Sequence, residues 1–322
     1  MRFGAKAVRL GLALSGLALL AGCLEPTPPL KPQSRPAGLA RPAAASAPLA
    51  ATPSPERQAL AQYYARVQND LLAQGLMRTD GGGPDTRFDA DDLVRNFQRI
   101  AFINEHPLDS VGPSDGSISN LHRWEKPVRM RIEFGKSVSP EQQAEDTRFI
   151  ADYAARLRAI SGHPIGITKS ASANFTVLVM STDDKAQMLA RVRQVLPSAS
   201  PRTIAVFRNL QRPTYCLVVA EPGGASGSEY MNAVALIRAE HPPLMRRSCI
   251  HEELAQGLGL TNDSPRARPS IFNDDEEFAY LTTHDEMLLK MLYDKRFKPG
   301  MSMDEATPIA RQIAGELTGN NF

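Results

Sequence analysis

The chain has 322 residues, of which 37 are lysine or arginine and 35 are aspartate or glutamate, for a net charge of +2 at pH 7. Such a balance leaves no basic stripe, so nucleic-acid binding has no electrostatic basis in this sequence. The length is sufficient for one large domain with shorter appendages.

Residues 1–23 have the organisation of a secretory signal. Basic residues precede an apolar run that is too short and too basic at its flank for a stable membrane span. The ending Leu20-Ala21-Gly22-Cys23 resembles a bacterial lipobox, which implies that Cys23 becomes the first residue and carries a lipid. Leu24 after it implies the outer membrane. The alternative is an ordinary signal peptide that happens to have a cysteine after its cleavage site.

The next segment, residues 24–53, is rich in proline and alanine and has almost no large apolar side chains. Such a segment cannot bury enough surface to fold and is typical of an extended tether. We therefore expect the folded part to be held in the bacterial cell envelope by the lipid on Cys23. It would face the periplasm, at the outer membrane rather than the inner one. The expected ligand is a polypeptide or another envelope protein.

Helix and strand signals follow in chain order. Residues 54–110 predict an N-terminal segment of two helices, one opened by Ser54-Pro55 and one beginning near Asp89. Residues 111–322 predict a main domain in which strands and helices alternate before helices close the chain. This pattern indicates an α+β domain with a mixed sheet. The predicted strands are Val128–Phe134, Ile165–Thr168, Phe175–Met180, Tyr215–Ala220 and Tyr230–Ile237, and helices are predicted to begin near Ser139, Thr182, Leu281 and Ser302.

Cys216 and Cys249 are the two cysteines that remain once Cys23 is lipidated. In an oxidising compartment two buried cysteines usually pair. One of these lies in an apolar strand and the other near the start of a helical stretch. We expect a Cys216–Cys249 disulfide that attaches the helix to the sheet. The alternative is two free thiols in the core.

The most informative stretch runs over residues 247–263. Apolar residues recur there at three- and four-residue steps, and Gly259 is the residue type that ends a helix. Glu252 and Gln256 lie one turn apart and point away from the apolar stripe. Gly259 follows Gln256 by three residues, and Asn262 follows Gly259 by three. This is the spacing of a metal-binding helix and turn, although the residue types are not those of a zinc site.

This order of parts resembles a metzincin zinc peptidase, with a layout nearest to the matrixins. In that family the motif H-E-x-x-H-x-x-G-x-x-H supplies three zinc ligands and a general base. Here Glu252, Gln256 and Asn262 fall at the three ligand positions. Glu253 falls at the position of the general base, and Gly259 at the turn glycine. The resemblance therefore implies a peptidase domain whose zinc ligands are replaced.

The resemblance continues downstream. Ser270-Ile271-Phe272 falls on the methionine turn of the family with Phe272 at its methionine, and Leu281 to Asp285 falls on the start of the next helix. The motifs Glu-Glu-Leu-Ala-Gln, Leu-Gly-Leu and Ser-Ile-Phe-Asn-Asp-Asp also resemble a family of uncharacterised proteobacterial lipoproteins placed among zincin-like peptidases. Both resemblances imply a zincin-like fold, in which a site helix, a methionine-turn-like loop and a C-terminal helix accompany the sheet.

The replaced ligands change the expected chemistry. Zinc sites are built from imidazole, thiolate and carboxylate, and one carboxylate with two neutral amides is a poor substitute. We therefore expect no metal and no cofactor, and Glu253 alone keeps a residue type suited to catalysis. Oxygen donors suit Ca²⁺ or Mg²⁺ better, and Asp263 or the acidic run over 274–277 would add charge. The alternative for that run is a solvated loop.

Histidines offer one other route to zinc. His251-Glu252 is a His-Glu pair, but Ala255 occupies the place where the second histidine would be. The other histidines are scattered, and His284, in the first turn of a helix, is expected to be exposed. Glu252 and Gln256 also have a structural interpretation, either as the outer face of an amphipathic helix or as hydrogen-bonding groups that hold a cleft floor together.

Two functions follow from these observations. The first is an anchored envelope protein whose degenerate peptidase domain binds a polypeptide or envelope component without zinc catalysis. Peptidase clefts bind extended chains along an edge strand, and here that strand would be Tyr215–Ala220. The second is a hydrolase or peptidase that uses Glu253 as general base with a metal site of different composition.

Overall fold

The computed structural model describes residues 52–103 and 117–319. The predicted signal, the lipidation site Cys23, the tether as far as residue 51 and His106 lie outside these residues. No described helix combines the length and the apolar character needed to cross a lipid bilayer.

The five predicted strands are confirmed and form one mixed sheet. They are β1 Val128–Phe134, β2 Ile165–Ile167, β3 Phe175–Met180, β4 Cys216–Gly223 and β5 Glu229–Arg238. Their order is β2-β1-β3-β5-β4, with parallel pairing everywhere except between β4 and β5. The antiparallel pair is in register, for example Val218 with Ala235, until an irregularity between Glu221 and Pro222. β4 is therefore an edge strand.

The described residues form eight α-helices. They are α1 Pro55–Ala73, α2 Ala90–Phe102, α3 Pro140–Ser161, α4 Lys185–Val195, α5 Pro201–Arg208, α6 Pro243–Gln256, α7 Thr283–Leu292 and α8 Met303–Thr318. Six of the described helices follow a Ser, Thr or Asp whose side chain accepts a backbone N–H of the first turn. Such caps satisfy donors that the helix itself leaves free, which explains why these starts are readable from sequence.

Both faces of the sheet are covered, which makes β3 buried at all six of its residues. Phe175, Val177 and Val179 belong to the main core with residues of α2, α3, α6, α7 and α8. Leu178 and Met180 belong to a second core with residues of α4 and α5. Successive side chains of β3 therefore point to opposite faces of the sheet, and a layer of helices covers each face.

The two N-terminal helices have different surroundings. α2 contributes Leu93, Phe97 and Ile100 to the main core. α1 contributes Leu60 and Tyr64 to a smaller cluster.

Two details of the helices differ from the sequence predictions. α5 was not predicted, although Ser200 caps it and Pro201 opens it; with eight residues it is too short to show a clear period. α6 was predicted to reach Gly259 but ends at Gln256. The N–H groups of Leu258 and Gly259 donate to carbonyls three residues back, so the chain tightens and leaves the α-helix early.

Candidate functional site

Helix α6, which carries the predicted site residues, is held along its length by α3. Near its start, Nε of Arg246 donates to the two oxygens of Asp146 at 2.9 and 3.0 Å, and both side chains are buried. One turn later the hydroxyl of Tyr153 donates to the carbonyl oxygen of His251 at 2.8 Å. These contacts limit how far the helix can shift or rotate.

The turn after α6 requires glycine at two positions. A Cβ on Gly257 would lie 2.5 Å from the ring of Phe175, and the carbonyl of Gly257 accepts a hydrogen bond from Nε1 of Trp124 at 2.8 Å. Gly259 has a φ of +126°, and a Cβ there would lie 2.5 Å from the carbonyl oxygen of His122. Gly259 therefore does not cap the helix as predicted, but it directs the chain away from it.

The predicted disulfide between Cys216 of β4 and Cys249 of α6 is confirmed, with Cα atoms 5.8 Å apart. Carboxylate oxygens of Glu252 and Glu253 lie within 4.8 Å of each other and of the Cys216 sulfur. Glu253 is 4% exposed, whereas Glu252 is half-buried. The structure therefore brings two acidic side chains together beside the edge strand and the disulfide.

The other two residues predicted at ligand positions, Gln256 and Asn262, contact different partners. Gln256 is buried, and its Nε2 donates to Oδ1 of Asp263 at 3.4 Å. Asn262 is buried as well, and its Nδ2 donates to the carbonyl oxygen of Arg99 at 3.2 Å while its backbone N–H donates to that of Ile100. The interpretation of Gln256 as part of a solvent-facing surface is wrong, because neighbouring elements cover it.

The loop that resembles a methionine turn is clamped by one buried carboxylate. Asp285 accepts hydrogen bonds from the Ser270 hydroxyl at 2.5 Å, the Ile271 N–H at 2.9 Å and the Thr282 hydroxyl at 2.9 Å. Asp285 is 0% exposed. Phe272, at the predicted methionine position, is fully buried in the main core. The carboxylate thus fixes the loop and the start of α7 together.

The same clamp continues into α2. Nδ1 of His284 lies 3.5 Å from Oδ1 of Asp285, and its Nε2 lies 3.0 Å from Nδ2 of Asn96. The side-chain Oδ1 of Asn96 accepts a hydrogen bond from the Ser264 hydroxyl at 3.2 Å. His284 is 0% exposed. The prediction that His284 is exposed is wrong, because α2 packs over the first turn of α7.

His251 is a buried, neutral packing group. Its Nδ1 accepts the N–H of Leu281 at 3.0 Å, and its ring lies between those of Tyr153 and Tyr280, with centroids 3.8 and 4.6 Å away. Burial, and secondarily the positive charge of Arg156, lowers the pKa of His251 to about 3. The ring therefore supports the start of α7 rather than reaching the carboxylates of α6.

The acidic run over 274–277 is divided between two environments. Glu277 accepts hydrogen bonds from Arg268 and Arg78, and the bond from Arg268 is the main cause that lowers the pKa of its carboxyl. Glu276 is half-buried, and burial raises its pKa to about 7. At least Glu277 is committed to structural ion pairs.

These residues do not make a donor set that fits catalytic zinc. Glu252 offers one carboxylate, Gln256 and Asn262 offer neutral amides, and the amide groups of both donate elsewhere. Among the described residues, the group of three metal-capable side chains is Cys216, Glu252 and Glu253. Because the Cys216 sulfur is bonded to Cys249, it cannot act as a thiolate ligand in this state. Two adjacent carboxylates remain.

A comparison with known protein families matches residues 90–312 to a family described as "Protein of unknown function (DUF2927)". The match covers more than half of the chain. The chain belongs to the DUF2927 family. No curated protein and no solved structure matches the chain significantly. The DUF2927 match begins at the first residue of α2 and ends within α8, so it includes the whole sheet and every residue of the candidate site.

Sequence reasoning missed the polar groups that support this DUF2927 site. Asn96 has no recognisable motif, because its partner His284 is distant in sequence and only folding brings them together. Asp285 was identified as part of a helix start, and the Thr282-x-x-Asp285 capping box is the signal that could have indicated its burial. Its further bonds to Ser270 and Ile271 have no local signal.

Proposed function

We propose that the protein is a lipid-anchored envelope protein facing the periplasm, whose zincin-like domain binds an extended polypeptide along β4 without zinc catalysis. The anchor rests on the lipobox-like ending at Cys23 and the tether that follows it. The zincin-like assignment is supported by the order of parts after β5. A helix with Glu253, a turn with Gly259, a clamped loop with Phe272 and then α7 follow one another as in the resembling family.

The observation that carries the proposal is the position of β4. Its inner edge pairs with β5, and none of the described strands pairs with its outer edge. An exposed strand edge presents backbone N–H and C=O groups that an added strand can satisfy. The disulfide holds α6 against β4, so the edge strand and the two carboxylates keep a fixed relative position. A polypeptide along β4 would pass beside Glu252 and Glu253.

The energetics of water activation favour binding over zinc catalysis. Zinc lowers the pKa of its bound water from about 15.7 to about 7, a difference worth about 12 kcal/mol. A general base alone supplies roughly 10²- to 10⁴-fold acceleration. Glu253 would have to work without the metal, because the three ligand positions hold Glu252, Gln256 and Asn262. A domain of this kind retains its binding surface but loses the main source of nucleophile activation.

A second candidate is a hydrolase that uses Glu253 as general base with a metal site of different composition. It is favoured by the proximity of Glu252, Glu253 and the Cys216 sulfur, all within 4.8 Å. Two carboxylates are hard oxygen donors and suit a divalent cation that keeps several waters. Metal analysis of the full-length protein, purified in detergent without chelator, separates the two functions. Stoichiometric metal that is lost in Glu252→Ala would overturn the first proposal and support the second.

Strand addition has a test that leaves the protein unchanged. An array of seven-residue peptides first selects a binder for the full-length protein in detergent. That peptide is then N-methylated at every second amide, in two versions shifted by one residue. Only alternate amides of an added strand face its partner, so one version should lose binding and the other should keep it. Equal binding of both versions, or no binder in the array, would contradict the β4 proposal.

A further inference from the structure

A cavity of about 410 Å³ lies on the face of the sheet opposite α6. It is bounded by the first turns of α1, the start of α4, the end of α5 and the carboxyl ends of β3 and β5. Its size is within the range of small-molecule sites, and the carboxyl ends of parallel strands are a common place for them. The apolar part of its lining includes Leu60, Met180, Met188, Phe207 and Leu236.

Glu240 contributes a buried carboxylate to this cavity. It follows β5, is 6% exposed, and its Oε1 accepts the N–H of Thr182 at 2.6 Å. Its Oε2 is buried and has no hydrogen-bond partner among the described residues. No ion pair between described residues includes Glu240. An unpaired carboxylate oxygen away from water is costly, so a positively charged ligand group next to this carboxylate would be strongly favoured.

The neighbouring Arg238 does not fill that role. Its Nε donates to the carbonyl oxygen of Thr214 at 2.9 Å, and its Nη2 to that of Gln211 at 2.7 Å. The guanidinium thereby holds the loop between α5 and β4. Burial raises the pKa of Glu240. The positive charge of Arg238 acts in the opposite direction but has the smaller effect.

The remaining cations of the cavity have exposed side chains. Lys185, Arg208 and Arg212 line it, and all three are exposed. Glu56 is an exposed acid of the same lining, so the exposed charges of the cavity are positive on balance. The cavity thus combines a buried carboxylate, an apolar wall and an accessible excess of positive charge. A ligand that satisfies all three has an ammonium group, an apolar body and a carboxylate.

We propose that this cavity binds a small zwitterion, namely a free amino acid with an apolar side chain. The ammonium group lies beside the Glu240 carboxylate, the side chain packs against Met188 and Phe207, and the carboxylate meets Lys185 and Arg208. This site is separate from the β4 surface, since the two lie on opposite faces of the sheet. It goes beyond the proposed polypeptide binding and does not depend on it.

Calorimetric titration of the full-length protein in detergent with three probes tests the proposal. L-Leucine carries both charges, leucinamide lacks the carboxylate and N-acetyl-leucine lacks the ammonium. Charge-assisted hydrogen bonds are the strong contacts here, so each blocked probe should bind about tenfold more weakly than leucine or worse. Absence of leucine binding, or equal affinity for all three probes, would overturn the proposal.

Two variants locate the binding. Glu240→Gln keeps an oxygen for the Thr182 N–H and should weaken leucine binding about tenfold while changing N-acetyl-leucine binding little. Ala59→Trp adds bulk at an exposed helix position that lines the cavity, and it should abolish binding of all probes without depending on Glu240. Glu141→Gln, an exposed residue of α3, is the matched control and should leave leucine binding unchanged. Unaltered leucine affinity in both cavity variants would contradict the site.

Discussion

Cys216 in the edge strand and Cys249 in α6 are joined by a disulfide between residues 33 positions apart in sequence. The bond connects the one antiparallel strand of the described sheet to the helix that carries Glu252 and Glu253. Nδ1 of His241 lies 3.7 Å from the Cys249 sulfur, so the bond is enclosed on that side by a buried ring. The position of the two carboxylates relative to β4 is therefore set covalently.

Replacement of both cysteines, Cys216→Ser with Cys249→Ser, should lower the free energy of unfolding by roughly 3 to 4 kcal/mol. The reason is that the closed loop of 33 residues restricts the unfolded chain. Urea unfolding of the wild type and the variant measures the difference. A reducing agent should destabilise the wild type and leave the double variant unaffected. The disulfide would be contradicted if wild-type protein with a lipidated Cys23, denatured without a reducing agent, showed two reactive thiols.

Asp285→Asn should destabilise the protein by about 3 kcal/mol, because the amide cannot accept all the bonds that the carboxylate receives from Ser270, Ile271 and Thr282. Chemical denaturation provides the measurement. Glu286→Gln is the control on the next residue, since its ion pair with Arg156 is exposed to solvent and should contribute about 1 kcal/mol or less. Equal effects of the two substitutions would show that the clamp around Asp285 is not important for stability.

Gly259→Ala should cost about 2 kcal/mol or more, since the backbone φ is +126° and the added Cβ would meet the carbonyl oxygen of His122 at 2.5 Å. Gly166→Ala in β2 is the matched control, because nothing lies within 4 Å of its added Cβ. The control should be neutral or slightly stabilising. Melting temperatures of the two variants compare them directly, and a neutral Gly259→Ala would contradict the described turn.

His251 should make the protein less stable in mild acid. Its pKa is about 3 in the folded state against an ordinary value of 6.5, so the unfolded state binds its proton first. The stabilising effect is complete above pH 6.5 and is lost progressively as the pH falls towards 3. Between pH 7.5 and pH 5 the loss from this residue is about 2 kcal/mol.

The measurement is the free energy of unfolding at the two pH values, compared between wild type and His251→Gln. The pH-dependent change in this free energy must be compared between the two proteins, because other groups titrate over the same pH range. Burial lowers the pKa of His241 in the same direction, whereas it raises that of Glu276 to about 7, with the opposite effect on stability. The variant should show a smaller loss in acid than the wild type. An unchanged difference would argue against a buried, neutral His251.

Cys23→Ser should release the protein from the membrane fraction and abolish incorporation of a labelled fatty acid. The physical reason is that the lipid chains would supply the anchoring free energy. Fractionation with a washed membrane pellet gives the readout. A change of Ser34→Ala in the predicted tether is the control and should leave the protein in the pellet. Membrane retention of Cys23→Ser would contradict the lipid anchor.

Much of the fold could be predicted because its signals are local. The caps at Ser54, Ser139 and Ser302, and the alternating apolar residues of β1, act within a few residues of chain. The disulfide could be predicted from residue type and the expected compartment. α5 escaped prediction because eight residues are too few for a clear period, and α6 ended early because the chain tightens after Gln256.

The candidate site was predicted in its members but not in its contacts. Glu252 and Glu253 lie close together because they are consecutive residues of one helix. Gln256, however, donates to Asp263, and Asn262 donates to the end of α2. The exposure predicted for His284 failed for the same reason, since α2 supplies the partner Asn96. Hydrogen-bond partners that are distant in sequence have no periodic signal.

By itself the sequence determined most of the helices and strands, because propensity, capping and apolar period are properties of short segments. The assignment of Glu252, Gln256 and Asn262 to the ligand positions of a zinc peptidase rests on resemblance and stays a prediction. Only the tertiary structure decided that β4 is an edge strand and that Gln256 and His284 are buried. It also decided that Glu240, which lines a cavity, has a buried oxygen with no hydrogen-bond partner among the described residues. Burial depends on what packs against a residue, and that is decided by elements far away in the chain.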